Sequence, residues 1–338
     1  MKTTSNPYST RPLDREECSL WDNLARETHP GLVFFRSSWL SSMSKALNAD
    51  WGVLGLFHGE DLVGGMPLYM LSRWGCKVLV PPLYTPYCGF LFSPISERAE
   101  KLEFQTQALA EILTKTLSER FDFVLLASPP QFLDLRPFYR GGWQVKVLYT
   151  RLVELTSEEE LYSKLDSAVK NKLNKARKLS VTVEEGEDPS LFFPLWEMSL
   201  RRQGQRPFII ASKFRELFED LKGGGLVRLF AARLGADVVA SRVAVIDPPL
   251  VYDWLAGADS DYFRTGANQL LVWEMIREFR QEGFSHLDFC GANLPGVADF
   301  KSSFGGELLS YYSLSKSFNL KGNLYRWLQN LKRCLSTR

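Results

Sequence analysis

The chain has 338 residues, 45% of them apolar and 24% charged, which is enough to bury the cores of two ordinary domains. Its 41 Lys and Arg against 39 Asp and Glu leave a net charge of +2, which excludes the protein-wide positive field of a general nucleic-acid binder. Met1–Arg15 lacks the apolar centre of a signal peptide and no uncharged apolar run reaches about 18 residues, so the expectation is a cytosolic protein without a spanning helix.

Two short amphipathic helices are predicted first, over Asp14–Thr28 and Ser38–Leu47. Val53–Phe57 and Leu62–Leu71 then form a hairpin turned at His58-Gly-Glu-Asp. A strand and loop follow from Val78, then a long helix over Glu97–Arg120, a buried strand at Phe121–Ala127 and a closing strand at Trp143–Leu155. The five cysteines, Cys18, Cys76, Cys88, Cys290 and Cys334, include no Cys-x-x-Cys pair and suit a reducing compartment. With only His29, His58 and His286 beside them, no metal is expected. The same scarcity argues against a Ser/His/Asp or Cys/His nucleophile. His286 reads as a core histidine, and Cys290 as a buried, inert thiol with a reactive one as the alternative.

Ser163–Lys178 is a basic helix carrying Lys164, Lys170, Lys172, Lys175, Arg177 and Lys178 around an apolar side of Val169, Leu173 and Ala176. It is either a solvated face or an electrostatic trap for an anionic substrate. Pro189–Gln205 is the next helix, running into Arg206-Pro207. Leu226–Arg233, Val238–Ile246 and Leu250–Gly257 are β-branched and aromatic runs separated by turn chemistry, a meander of three strands. Leu271, Val272, Met275, Ile276 and Phe279 keep helical spacing between Gly266 and Gly283. A short strand at Phe284–Cys290, a loop at Gly291–Asp299 and a last strand at Leu308–Leu314 complete the order.

Val251-Tyr-Asp-Trp-Leu-Ala-Gly-Ala258, Gly266-Ala-Asn-Gln-Leu-Leu271, Gly283–Asp288 and above all Phe300-Lys301 with Phe304-Gly305 carry a resemblance to the GNAT superfamily, in its FemAB-like branch. It extends upstream to Val169–Lys178 and Arg202–Pro207, and more weakly into the first half. The resemblance implies an α/β (α+β) fold: two tandem GNAT-like acyltransferase domains with mixed central sheets flanked by helices, facing each other across a cleft. Residues 1–150 and 151–316 are the expected domains and 317–338 a basic amphipathic helix.

Acyl transfer to an amine needs a held donor, an unprotonated amine and stabilisation of an oxyanion, but no covalent nucleophile. In GNAT enzymes a splay between strands and the Gly-rich turn at a helix start receive coenzyme A; Arg264-Thr-Gly-Ala-Asn268 is the matching segment, so Arg264, Gly266 and Asn268 are the implied donor contacts, with Asn268 standing where a small residue is usual. Lys301 is the implied catalytic cation beside Phe300, against a plain loop lysine between two core phenylalanines. Asp253, the candidate proton acceptor, and Tyr252, a candidate substrate contact, lie on a central strand expected to face the cleft; strand alternation sends them to opposite faces, so at most one points at substrate. Arg206 is carried over as a phosphate contact, with a structural arginine as the alternative, and Lys170 and Lys172 would attract an anionic acceptor.

Fem ligases commonly have Asp-Pro where this chain has Ser128-Pro129, and a lysine where Leu-Ser-Ser follows Trp39; no long heptad arm is present. These departures favour the acetyltransferase-like relatives and an acyl-coenzyme A donor over aminoacyl-tRNA. The expectation is an acyltransferase acting on an amino group of an anionic sugar or peptide precursor of the cell envelope or of a polysaccharide. A non-catalytic glycan- or lipid-binding module is the alternative of another class. The tail from Lys316 to Arg338, without acidic residues, either lies on anionic membrane or packs on the protein.

Overall fold

Alternating apolar residues with turn chemistry between them produce the strands of this computed structural model, which describes residues 6–28, 32–132 and 134–336. His29 lies outside them. The chain divides into two units, residues 1–148 with 310–338, and residues 149–309.

The first unit begins with β1 (Tyr8–Pro12), α1 (Cys18–Thr28), α2 (Ser37–Leu47) and the hairpin β2 (Asp50–His58) and β3 (Asp61–Arg73). β4 (Cys76–Leu79), β5 (Leu91–Phe92), α3 (Ala99–Arg120), β6 (Phe123–Ala127) and α4 (Arg136–Arg140) follow. α3 buries Leu109, Leu113 and Leu117 against Leu54, Leu56 and Leu126 of the sheet. β4 and β6, on either side of α3 in sequence, pair in parallel.

β7 (Gln144–Glu154) leads into the second unit: α5 (Glu158–Lys164), α6 (Ser167–Lys178), β8 (Thr182–Gly186), α7 (Pro189–Arg202), α8 (Ala211–Gly223), β9 (Val227–Leu234), β10 (Asp237–Asp247), β11 (Leu250–Ala258), α9 (Ala267–Gln281), β12 (His286–Asp288) and α10 (Pro295–Ser302). β13 (Glu307–Ser317) and α11 (Leu320–Ser336) end the described chain. Strands β8 to β11 are antiparallel neighbours, and β11 and β12 are parallel with α9 between them in sequence. The strand, helix, parallel-strand motif of β4-α3-β6 thus recurs as β11-α9-β12.

Three differences from the sequence reading have physical causes. The basic helix is broken at Asp166, whose carboxylate accepts from the Ala168 N–H at 2.7 Å and starts α6 anew. Part of the expected loop at Gly291–Asp299 is α10, because Pro295 opens a helix at no hydrogen-bond cost. Trp143–Leu155 was expected to close the first half, yet Leu152–Glu154 pair with β12; the last strand runs past its expected end at Leu314 to Ser317, and its residues Ser313–Ser317 pair with β6.

In the second unit Leu270, Leu271, Met275, Ile276 and Phe279 of α9 pack with Phe230, Val251 and Leu287 of the sheet and with Val169, Leu173 and Ala176 of α6. α7 covers β11 so closely that a Cβ on Gly257 would lie 2.4 Å from the Trp196 nitrogen.

Candidate active site

β11 and β12 pair over three rungs only, Leu250 with His286, Val251 with Leu287 and Tyr252 with Asp288. β12 ends there while β11 continues to Ala258 along β10. Asp253 is the first residue past the last shared rung. The β10 register also slips here: Val243 faces Leu255 and Ala244 faces Asp253, leaving Trp254 as the extra residue of a bulge. A bulge re-aims side chains that strict alternation would fix.

Arg242 and Asp253, each 3% exposed as side chains, form an ion pair across these strands. The guanidinium also donates to Asn268 Oδ1 at 3.1 Å and stands 5.3 Å from the centre of the Phe300 ring. Asp253 Oδ1 and Arg242 Nε are buried and have no hydrogen-bond partner among the described residues. Buried polar atoms are rarely left so, and a carboxylate oxygen in this state is ready to accept a hydrogen bond from an incoming group.

Lys301, in the last turn of α10, donates its ammonium to the carbonyls of Phe289 and Gly291, the latter at 2.6 Å. Burial lowers its pKa; Asp253 and Cys290 pull it back up, and Arg242 pushes it down. An ammonium has three donors, so one remains. Cys290, between the two carbonyls, takes a left-handed φ of 53°. Burial, with Asp288 adding to it, pushes the thiol well above its ordinary pKa, which keeps it protonated and poor as a nucleophile. Asp288 Oδ1 accepts from Thr150 Oγ1 at 2.5 Å and from the Cys290 N–H at 2.8 Å, and Thr150 Oγ1 accepts from the Gly291 N–H at 3.1 Å. These bonds hold the chain as it leaves β12.

The fold therefore brings together Asp253, Lys301, Phe300 and Asn268, which sequence reasoning chose separately. Tyr252, one residue away, is fully buried in the core. Gly266, at φ +86°, precedes α9, and a Cβ there would meet the Lys172 carbonyl oxygen at 2.2 Å. Lys172 Nζ donates to the Phe263 carbonyl at 2.8 Å, while Arg264 is exposed on the same turn. Lys170 Nζ donates to the Ser163 carbonyl at 3.0 Å and lies 5.4 Å from the Tyr162 ring centre. Arg206 is exposed in the segment after α7.

Sequence reasoning missed Arg242, the residue that ties the group together. Its signal was an arginine in an otherwise apolar strand, which must find an anion if buried. It also missed Arg202, which donates to the Ala258 carbonyl at 2.8 Å and stacks 5.0 Å from the Phe263 ring centre, fastening α7 to the turn before α9.

Residues 163–302 match the acetyltransferase (GNAT) domain family. A search of curated proteins by sequence finds no match. Among solved structures, FemX superposes with a TM-score of 0.69 over 94% of this chain and 99% of its own, at 13% identity. The C-terminal domain of a putative lysylphosphatidylglycerol synthetase from Agrobacterium fabrum gives 0.56 over 93% and 94%, at 11% identity. A tandem GNAT protein from the clavulanic acid biosynthesis pathway gives 0.53 over 92% and 99%, at 14% identity. At such identities the likeness is one of fold. The acetyltransferase (GNAT) domain family thus matches residues 163–302, and the fold is similar to that of FemX and of the tandem GNAT protein along nearly the whole chain.

Proposed function

We propose that the second unit transfers an acyl group to an amine of an anionic cell-envelope or polysaccharide precursor, with acyl-coenzyme A as the favoured donor. The observation that carries this reading is the buried Asp253, with one oxygen held by Arg242 and the other unpartnered, beside the ammonium of Lys301 where β11 and β12 part. Acyl-coenzyme A would supply an acyl carbon activated as a thioester. Asp253 Oδ1 accepts the proton that the amine loses as its nitrogen bonds to that carbon; the carbon–sulfur bond of the thioester then breaks, and coenzyme A would leave as a thiolate that is protonated from solvent. The remaining donor of Lys301 stabilises the carbonyl oxygen as it gains charge, in a site dry enough for that charge to be felt. Phe300 and Arg242 hold this geometry. Arg264 and the start of α9 would take the donor phosphates, and the exposed Lys175, Lys178 and Arg206 would draw in the acceptor.

A second reading keeps the site and replaces the donor by aminoacyl-tRNA. It is favoured by the Lys172 carbonyl oxygen facing Gly266, since a negative dipole end there offsets the field that a pyrophosphate would use.

Thermal unfolding with acetyl-coenzyme A, coenzyme A and bulk tRNA, added separately, distinguishes the two. A ligand at about 100 times its Kd adds roughly 2.7 kcal/mol to stability. A rise in Tm with acetyl-coenzyme A is expected. A rise with tRNA alone, falling steeply with salt, selects the second reading. Silence from all three overturns both and leaves a binding module.

A further inference from the structure

The last helix wears its apolar stripe on the wrong side for a helix that merely packs. α11 meets the first unit through Tyr325, 7% exposed among Val78 and Phe123, and through Gly322, where a Cβ would lie 1.9 Å from the Asp122 carbonyl oxygen. Leu320, Leu324, Trp327 and Leu331 are 85%, 57%, 58% and 43% exposed. At about 100° per residue these four fall within roughly 60° of arc, opposite the contact side. An amphipathic helix ordinarily buries that stripe against its own core.

The surrounding charge says what covers it. Lys316–Arg338 contains no Asp or Glu. The helical repeat sets Lys321 on one flank of the stripe and Arg326 on the other. Trp74, at the tip of the β3–β4 hairpin between Arg73 and Lys77, is 57% exposed with its ring centre 6.0 Å from that of Tyr325. A second copy docked stripe to stripe would bring these cations against one another with no acid on α11 to offset them. An anionic lipid surface satisfies both features: it takes the leucines and Trp327 below the headgroups and pairs the flanking cations with phosphates.

We infer that α11 is an interfacial anchor that lies in the plane of an anionic bilayer. This inference does not depend on the donor or the chemistry proposed above.

The test is co-sedimentation of the full chain with vesicles of phosphatidylcholine alone and with vesicles of equal parts phosphatidylcholine and phosphatidylglycerol. Binding to the mixed vesicles only, weakening as salt is added, is expected. Leu324→Asn with Trp327→Asn should lower the partition at least about tenfold, because two apolar side chains no longer leave water. Both positions face solvent, so the Tm of the variant should stay that of the parent. Lys321→Ala with Arg326→Ala should lower partition into the mixed vesicles while the apolar stripe is intact. Equal partition of parent and variants, equal binding to both vesicle types or no binding by the parent would each overturn the inference. So would a parent that is dimeric in solution and becomes monomeric with the apolar pair replaced, since the stripe would then belong to a second copy.

Discussion

Arg242 on β10 holds one oxygen of Asp253 on β11 where the pairing of β11 with β12 ends, and the other oxygen is left unpartnered. Removing one member strands the other charge in a site only 3% exposed. Asp253→Leu and Arg242→Met should each cost about 3–5 kcal/mol in urea unfolding. The double variant should recover most of that stability and still show no turnover. Recovery of stability without activity would separate the pair's chemistry from its part in folding.

Lys301→Met removes the donor to the Phe289 and Gly291 carbonyls as well as the cation. Turnover should fall by roughly 10²–10³, the usual loss for one oxyanion-stabilising donor, in single-turnover assays. Lys301→Arg should not restore it, because the planar guanidinium cannot fit a point-charge niche between two carbonyls.

The same lysine gives stability a pH dependence. Burial lowers its folded pKa below 10.5, the unfolded value, so between the two the unfolded chain binds more protons. Stability from this group therefore rises with pH across that window and is flat above it. The Lys301→Met variant should lack the rise in urea titrations collected from neutral to alkaline pH.

Cys290 should be dispensable for turnover. Burial raises its thiol pKa, so Cys290→Gly, which also suits a φ of 53°, should retain activity and resist inactivation by iodoacetamide no better than the parent. Loss of turnover in that variant would indicate a covalent thiol route.

Gly266→Ala should destabilise the second unit by more than about 1 kcal/mol, since its φ is +86° and the new methyl group would strike the Lys172 carbonyl. Its Tm, together with the acetyl-coenzyme A titration, reports whether the start of α9 also serves the donor.

The regular parts of the fold were legible because burial repeats with the period of the element. β9, β10, β11 and α9 fall within a residue or two of their expected limits. Tyr8–Pro12 was not read as a strand, since Ser-Thr-Arg-Pro carries no apolar alternation and owes its shape to pairing with β2. The candidate site was legible by residue type but not by connection. Asp253, Phe300, Lys301 and Asn268 stood out singly, whereas Arg242 acquires its meaning from a bulge that places Ala244 opposite Asp253. Local sequence does not announce which strand will slip.

The contact of Gly257 with the Trp196 backbone has a consequence at a distance. Where two main chains come this near, a single added carbon acts as a wedge beneath α7. The helix would tilt about that fulcrum and carry Arg202 and the arginine-bearing segment after it away from the turn before α9. The reach of Arg202 and of the segment after it thus depends on a missing methyl group on the strand.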